Sequence, residues 1–167
     1  LFNFFLSFPA DFFYCMETGY YKSIAGNISI IIENQQVTRV SFVHEIEDIQ
    51  EKPSLLMETT VKQIREYFQG SRMQFDLPIR MNGTDFQVKI WKLLMRIPYG
   101  TTVAYVKVAQ EFGDSKMVRA VASAIAKNPL LILIPCHRVI GSDRSMVGYS
   151  AGISIKRLLL EHEGYPK

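Results

Sequence analysis

Between Tyr20 and Glu45 the chain alternates. Ile28, Ile30 and Ile32 recur at every second position, and Ala25-Gly26-Asn27 and Glu33-Asn34-Gln35-Gln36 supply turn residues on either side. Alternation of period two is what one buried face of an antiparallel sheet requires. The acidic stretch from His44 to Lys52 breaks the pattern and reads as a connection. After it, Leu56, Val61, Ile64, Tyr67 and Phe68 fall at roughly helical spacing, and Gly70 suits the end of that helix. Residues 16–79 are therefore expected to form an N-terminal α/β domain.

From Thr84 onward the period is helical. Thr84-Asp85-Phe86-Gln87 has capping-box spacing and leads an amphipathic run to Met95, which Ile97-Pro98-Tyr99-Gly100 ends. Thr102 is placed to cap a second helix through Glu111, and Ser115 a third that stops before Pro129. Two short helices joined by a tight glycine-containing turn outline a helix-turn-helix. On the third helix Val118, Val121, Ala122 and Ile125 share a core-facing side, while Arg119 and Ser123 lie among Ala120, Ala124 and Ala126. An alanine face with one arginine either packs on a neighbouring helix or lets this helix approach another surface closely. Leu130 to Ile134 reads as a buried strand. The last helix ends at LLLEHEG, with Glu161 and Glu163 inside its final turn and His162 on the surface, while Trp91 and Tyr99 read as core and turn packing. The fold class expected is α/β (α+β), with a helical domain over residues 80–167.

Composition narrows the class. Of 167 residues, 48% are hydrophobic and 21% charged, as in a globular protein, and no run approaches the ~18–20 apolar residues of a membrane span. The opening LFNFFLSFPADFFYC, residues 1–15, is an anomalous Phe-rich extension without a signal-peptide pattern. It is expected to be non-native or translated upstream sequence, with Met16 the natural start. Cys15 and Cys136 stand far apart, and no CxxC or Cys/His cluster offers metal spacing, so no metal or cofactor is expected and a reducing cytoplasm fits. The net charge of +3 hides an asymmetry. Residues 1–79 hold six Lys/Arg against ten Asp/Glu, a net of −4, and residues 80–167 hold thirteen against six, a net of +7. A basic second half suits a polyanion such as nucleic acid, although ordinary solubility charge explains it equally well.

Candidate chemistry concentrates at Pro135-Cys136-His137-Arg138. A buried cysteine is by default inert. Thiolate formation needs a base or a positive charge nearby, and His137 or Arg138 can supply either. Neighbours on a strand point to opposite faces, so His137 reaches the thiol only through a water, or if the chain bends at Pro135. A carboxylate at a helix C-terminus opposes the macrodipole by ~0.3–1 kcal/mol. A carboxylate kept there, Glu161 or Glu163, suits another task such as orienting an imidazole, and Cys136, His137 and that glutamate would then form a nucleophile, base and orienter. Two solvated glutamates remain the alternative.

Residues 84–164 closely resemble the O6-alkylguanine-DNA alkyltransferases, in FQVKIWKLLMRIPYGTTVAY, VRAVASAIAKNP, ILIPCHRVIG, GYSAG and LLLEHEG, all in family order. YYKSIAGNISI is similar to the family's N-terminal strand pair, and residues 1–15 lie outside the resemblance. The resemblance implies an RNase H-like sheet and helix followed by a winged-helix/helix-turn-helix DNA-binding domain. It implies a single-turnover transfer of the alkyl group from O6-alkylguanine, and less well from O4-alkylthymine, to Cys136. In that scheme His137 acts through a water as base, Glu163 holds the imidazole, and Asn128 shapes the turn. Tyr105 donates toward the leaving guanine, and Arg119 fills the space of the extruded base. Ser150 donates to O6, the Cys136 and Val139 carbonyls accept from the exocyclic amine, and Tyr149 walls the pocket. The third helix, with Ser123 beside Arg119, enters the minor groove of double-stranded DNA. A monomer without membrane association is implied, in the cytoplasm. Leu131 and Ala151 depart from residues frequent in relatives and are expected to alter the pocket rim and narrow the pocket. The zinc ligands of some eukaryotic members are not recognisable, and Cys15 and His44 read as incidental. Two other readings are a lesion-binding protein without transfer, which an intact Cys136 argues against, and a thiol hydrolase with repeated turnover.

Overall fold

A computed structural model describes residues 16–48 and 52–165, so the expectations for residues 1–15 lie outside the described residues. Met16–Ser23 (β1), Gly26–Glu33 (β2) and Gln36–Val43 (β3) form an antiparallel sheet in the order β1-β2-β3. Ile28, Ile30 and Ile32 are buried, as their alternation requires. Asn34 and Gln35 sit at φ 49° and 61°, the paired left-handed conformation of a two-residue hairpin.

Leu55–Phe68 (α1) is capped by Ser54, whose hydroxyl accepts from the Met57 N–H. Its fully buried stripe is Met57, Thr60, Gln63, Ile64 and Tyr67, whereas Leu56, Val61 and Phe68 are only half-buried. The spacing located the helix but turned its buried face slightly. Its end is as expected: Ser71 N–H donates to Glu66 O, with Gly70 at φ 73°.

Asp85–Leu94 (α2) begins with the complete capping box, Thr84 and Gln87 each accepting from the other's N–H. Tyr105–Phe112 (α3) and Val118–Ala126 (α4) follow. Two expected caps are wrong. Thr102 does not start α3, because Val103–Ala104 (β4) is drawn into parallel pairing with Val139–Ile140 (β5), so the helix begins at Tyr105. Asp114 rather than Ser115 accepts from the Lys116 N–H and opens a 3-10 turn that feeds α4. Ala124 also departs from expectation. It is buried, and its carbonyl accepts from Trp91 Nε1 at 2.9 Å, which docks α4 on α2. The open face of α4 carries Arg119, Ala120, Ser123 and Ala126. Ile153–His162 (α5) closes the chain.

The two halves share one core, because both use the outer edge of β3. Val37 N–H donates to Pro78 O at 2.8 Å and Arg80 N–H to Val37 O at 2.9 Å. Three residues on, Val40 N–H donates to Pro129 O and Leu131 N–H to Val40 O, both at 2.9 Å. The apolar run after Leu131 is not the expected strand. Ile132 takes φ 72°, and Leu133 and Ile134 N–H donate back to Leu131 and Leu130 O. A buried backbone must satisfy its polar groups. This one does so by turning on itself, which leaves every side chain from Leu130 to Ile140 buried. Among the described residues no helix is long and apolar enough to cross a membrane.

Candidate active site

Cys136–Arg138 form a 3-10 turn where a strand was expected, and all three side chains are buried. Successive residues of such a turn point about a third of a revolution apart, so neighbours need not face opposite sides. Asn128, just beyond α4, clips this turn. Its amide Nδ2 donates to Ile134 O at 2.9 Å and to Cys136 Sγ at 3.0 Å, and its Oδ1 accepts from Leu130 N–H. Burial pushes the Cys136 thiol up to about 11, with the Asn128 hydrogen bond and the Lys156 charge opposing. At neutral pH the sulfur therefore keeps its proton until a base removes it.

A candidate base stands next in the chain. His137 Nε2 lies 2.8 Å from Glu163 Oε1, and burial lowers the imidazole pKa against the pull of that carboxylate. Glu163 is the C-cap residue of α5 rather than part of its last turn. Burial alone would raise its pKa, but the bonds from His137 and Arg138 hold it far below the usual carboxylate range. An ionised carboxylate only accepts, so Nε2 carries the hydrogen and Nδ1 the lone pair. Nδ1 is buried without a hydrogen-bond partner among the described residues. A neutral imidazole with an unpartnered lone pair can accept a proton.

Four other groups fix Glu163. Arg138 donates from Nε to Oε2 at 2.8 Å and from Nη2 to Oε1 at 2.9 Å, while its Nη1 reaches Ile97 O at 2.7 Å. Tyr67 Oη donates to Oε1 at 2.8 Å, and Gly100 N–H to Oε2 at 3.1 Å. His162, expected on the surface, is half-buried and its Nε2 pairs with Tyr67 O at 2.7 Å.

A second cluster meets the first through the loop after β5. Tyr105 Oη donates to Val147 O at 2.9 Å, and burial with the Cys136 charge pushes its pKa up to about 12, so the phenol stays protonated. Lys156 on α5 is fully buried, and its Nζ donates to Val139 O at 2.6 Å and Val147 O at 2.9 Å. Burial brings this lysine down to about 8. The Val139 carbonyl, expected to be free for a ligand, already accepts from Lys156 and keeps only its second lone pair. The Cys136 carbonyl likewise accepts from the Val139 N–H. Tyr149 is buried with its ring edge-on to His137, centroids 6.4 Å apart, and its hydroxyl lacks a partner among the described residues.

Arg119 lies outside this cluster, exposed on α4, but it shares with Tyr105 and Gly148 a cavity of about 340 Å³. Ser150 is exposed and lines, with Asn128, a different cavity of about 360 Å³. Ser123 is exposed on α4 and makes no side-chain hydrogen bond to the cluster. Among the described residues no three His, Cys, Asp or Glu side chains converge on a metal position.

Two family models match in sequence. Residues 16–81 match the ribonuclease-like domain, and residues 85–165 the DNA binding domain, of 6-O-methylguanine DNA methyltransferase. A constitutive methylated-DNA–protein-cysteine methyltransferase of Bacillus subtilis is 37% identical over 83% of this chain and 89% of its own. The chain belongs to the 6-O-methylguanine DNA methyltransferase family. Against a Methanosarcina barkeri protein with the same name, identity rises to 47%, over 61% of this chain and 65% of the relative, so the chain spans somewhat under two thirds of that protein. A crystal structure of a Mycobacterium tuberculosis protein in complex with DNA superposes with a TM-score of 0.77 at 35% identity, covering 86% of this chain and 90% of that one.

Three residues of this methyltransferase-family site were not singled out in the sequence as parts of it. Lys156 carried no signal, since a lysine in the first turns of an amphipathic helix is ordinarily solvated. Tyr67 read as one more apolar position of α1. Arg138 was noted only as a charge near the thiol, and its partner is the carboxylate that holds His137. One cue did exist for Arg138, because a guanidinium inside a wholly buried run must find an anion.

Proposed function

We propose that this methyltransferase-family protein repairs DNA directly, taking the alkyl group from O6 of an extruded guanine, and less well from O4 of thymine, onto Cys136. The observation that carries the reading is a buried, proton-bearing thiol beside a neutral imidazole whose Nδ1 has no partner among the described residues. The thiol proton passes through a water to His137 Nδ1, and Glu163 stabilises the imidazolium. The sulfur then displaces guanine at the alkyl carbon. The S–C bond forms as the C–O6 bond breaks, and the electron pair stays on guanine. Tyr105 supplies the proton that guanine needs and is itself reprotonated, so that overall the thiol proton replaces the alkyl group. The product is a thioether that nothing nearby hydrolyses, and each chain reacts once.

Reaching an atom inside a duplex requires base extrusion, at a few kcal/mol. The open face of α4, with small Ala120 and Ala126 and with Ser123, suits close approach in a minor groove, and Arg119 fills the vacated stack. Tyr149 and Ser150 receive the extruded base, Ser150 toward O6, and the remaining lone pair of Val139 O and the Cys136 carbonyl accept from its amine. Asn128 steadies the developing thiolate. Minor-groove readout is largely degenerate, which suits a search for damage in any sequence. The protein acts as a monomer in the cytoplasm.

Incubation with a duplex carrying labelled O6-methylguanine tests this. One equivalent of label is expected on Cys136 and none on a Cys136→Ala protein. Label removal by that variant, or repeated turnover by the unaltered chain, overturns the reading.

A further inference from the structure

The acidic N-terminal half holds an exposed cation in an unexpected place. Arg39 on β3 faces outward, between buried Thr38 and Val40. It lines the 360 Å³ cavity together with Lys127, the C-cap residue of α4, and with the polar side chains of Asn82 and Ser41. Among the described residues no carboxylate lines that cavity, and neither cation has a carboxylate within salt-bridge distance. The two cations come from opposite halves of the chain, yet their placement is set by backbone. Val40, next to Arg39, is bonded in both directions to Pro129 and Leu131, and Lys127 stands two residues before Pro129. The cavity is also continuous with the DNA-facing side of α4, since Ala126 of that face lines it.

We propose that Arg39 and Lys127 form a clamp for a DNA backbone phosphate, so that the N-terminal sheet takes part in duplex binding. This rests on the reading of α4 as the helix that meets DNA. A paired cation site with amide and hydroxyl donors and no acid matches a phosphodiester, which only accepts hydrogen bonds. Arg119 and Lys127 lie eight residues apart on one helix, or ~12 Å. A strand whose base is extruded beside Arg119 therefore runs on to the trough within a few nucleotides. The same anion chemistry would also fit a negatively charged substituent on O6, and the test separates the two.

Equilibrium binding is measured against salt in a Cys136→Ser background, so that no transfer intervenes. The probes are an undamaged duplex, the same duplex with O6-methylguanine, and one with a carboxylate-bearing O6 substituent. Each phosphate contact contributes ~0.9 to the slope of log K against log salt, so R39Q/K127Q, which releases the one clamped phosphate, is expected to lower the slope by about 1 on all three duplexes. K62Q/R65Q, which removes equal charge from the outer face of α1, is expected to leave it unchanged. An unaltered slope for R39Q/K127Q, a loss equal to that of K62Q/R65Q, or weakening confined to the carboxylate-bearing duplex overturns the clamp. Methyl transfer from free O6-methylguanine base to otherwise unaltered protein is run in parallel. Its failure strikes the alkyl-transfer reading instead, because that reaction needs no phosphate.

Discussion

Among the described residues Glu163 receives five hydrogen bonds from four residues, and this crowding decides the state of His137. A carboxylate that accepts from Arg138, Tyr67 and Gly100 stays ionised, and an ionised Glu163 fixes the hydrogen of His137 on Nε2. Tyr67 is the simplest probe, because Phe keeps its packing and removes one bond to a charged group. Tyr67→Phe is expected to lower unfolding free energy by ~1.5–3 kcal/mol in denaturant titration. His137 itself predicts a pH profile. Its pKa is lowered from 6.5 by burial, so the imidazole is neutral above that value. The single-turnover transfer rate should be level above pH 7 and fall only below 6.5, as quenched-flow measurement on methylated duplex would show. A rate already falling between pH 9 and 7 would remove His137 from the role of base.

At the scale of elements, two short devices aim the chemistry. The β4–β5 ribbon, Val103↔Val139 and Ala104↔Ile140, fixes the exit of the Cys136 turn beside the first residue of α3, which is Tyr105. The loop after β5 then returns so that Val147 O accepts from both Tyr105 and Lys156. Gly148 permits this return. It sits at φ 72°, and a Cβ there would be 2.8 Å from Tyr105 Oη. Gly148→Ala is expected to cost ~1–2 kcal/mol for the left-handed conformation alone. It should also push the phenol off Val147 O and slow alkyl transfer at least tenfold, with the far-ultraviolet circular dichroism retained. An alanine variant that transfers at full rate would show that the phenol position is unimportant.

The molecule as a whole is bound through the edge of β3 and through Tyr67–Glu163, contacts that join the first half of the chain to the second. The halves should therefore unfold together. Trp91, the one tryptophan of the sequence, lies in the second half, and the three-stranded sheet lies in the first. Tryptophan fluorescence and far-ultraviolet circular dichroism are expected to give one coincident denaturation curve. Two separated transitions would mean that the shared edge contributes little. Acid stability follows from the same contacts. The folded-state pKa of Glu163 lies below its ordinary 4.5, so its stabilisation is complete above pH 4.5 and is lost as pH falls through the folded value. Glu163→Gln should flatten that part of the stability–pH curve.

Periodicity and capping signals determined much of this protein from sequence alone: the sheet, α1, the box at Thr84 and the helical second half. These are legible because burial at period 2 or 3.6 and caps at fixed offsets are matters of near neighbours. Where β4 pairs with β5, that near-neighbour logic fails and the cap expected at Thr102 is overridden. Leu130–Ile134 fails for a related reason, since an apolar run states that it is buried and not how its backbone is satisfied. Tyr67 stands 96 residues from Glu163, and Arg39 and Lys127 line one cavity only because the edge of β3 is docked on Pro129 and Leu131. Tertiary structure alone chose those partners, because charge and hydrogen-bond complementarity act through space, and local sequence carries no record of what lies opposite.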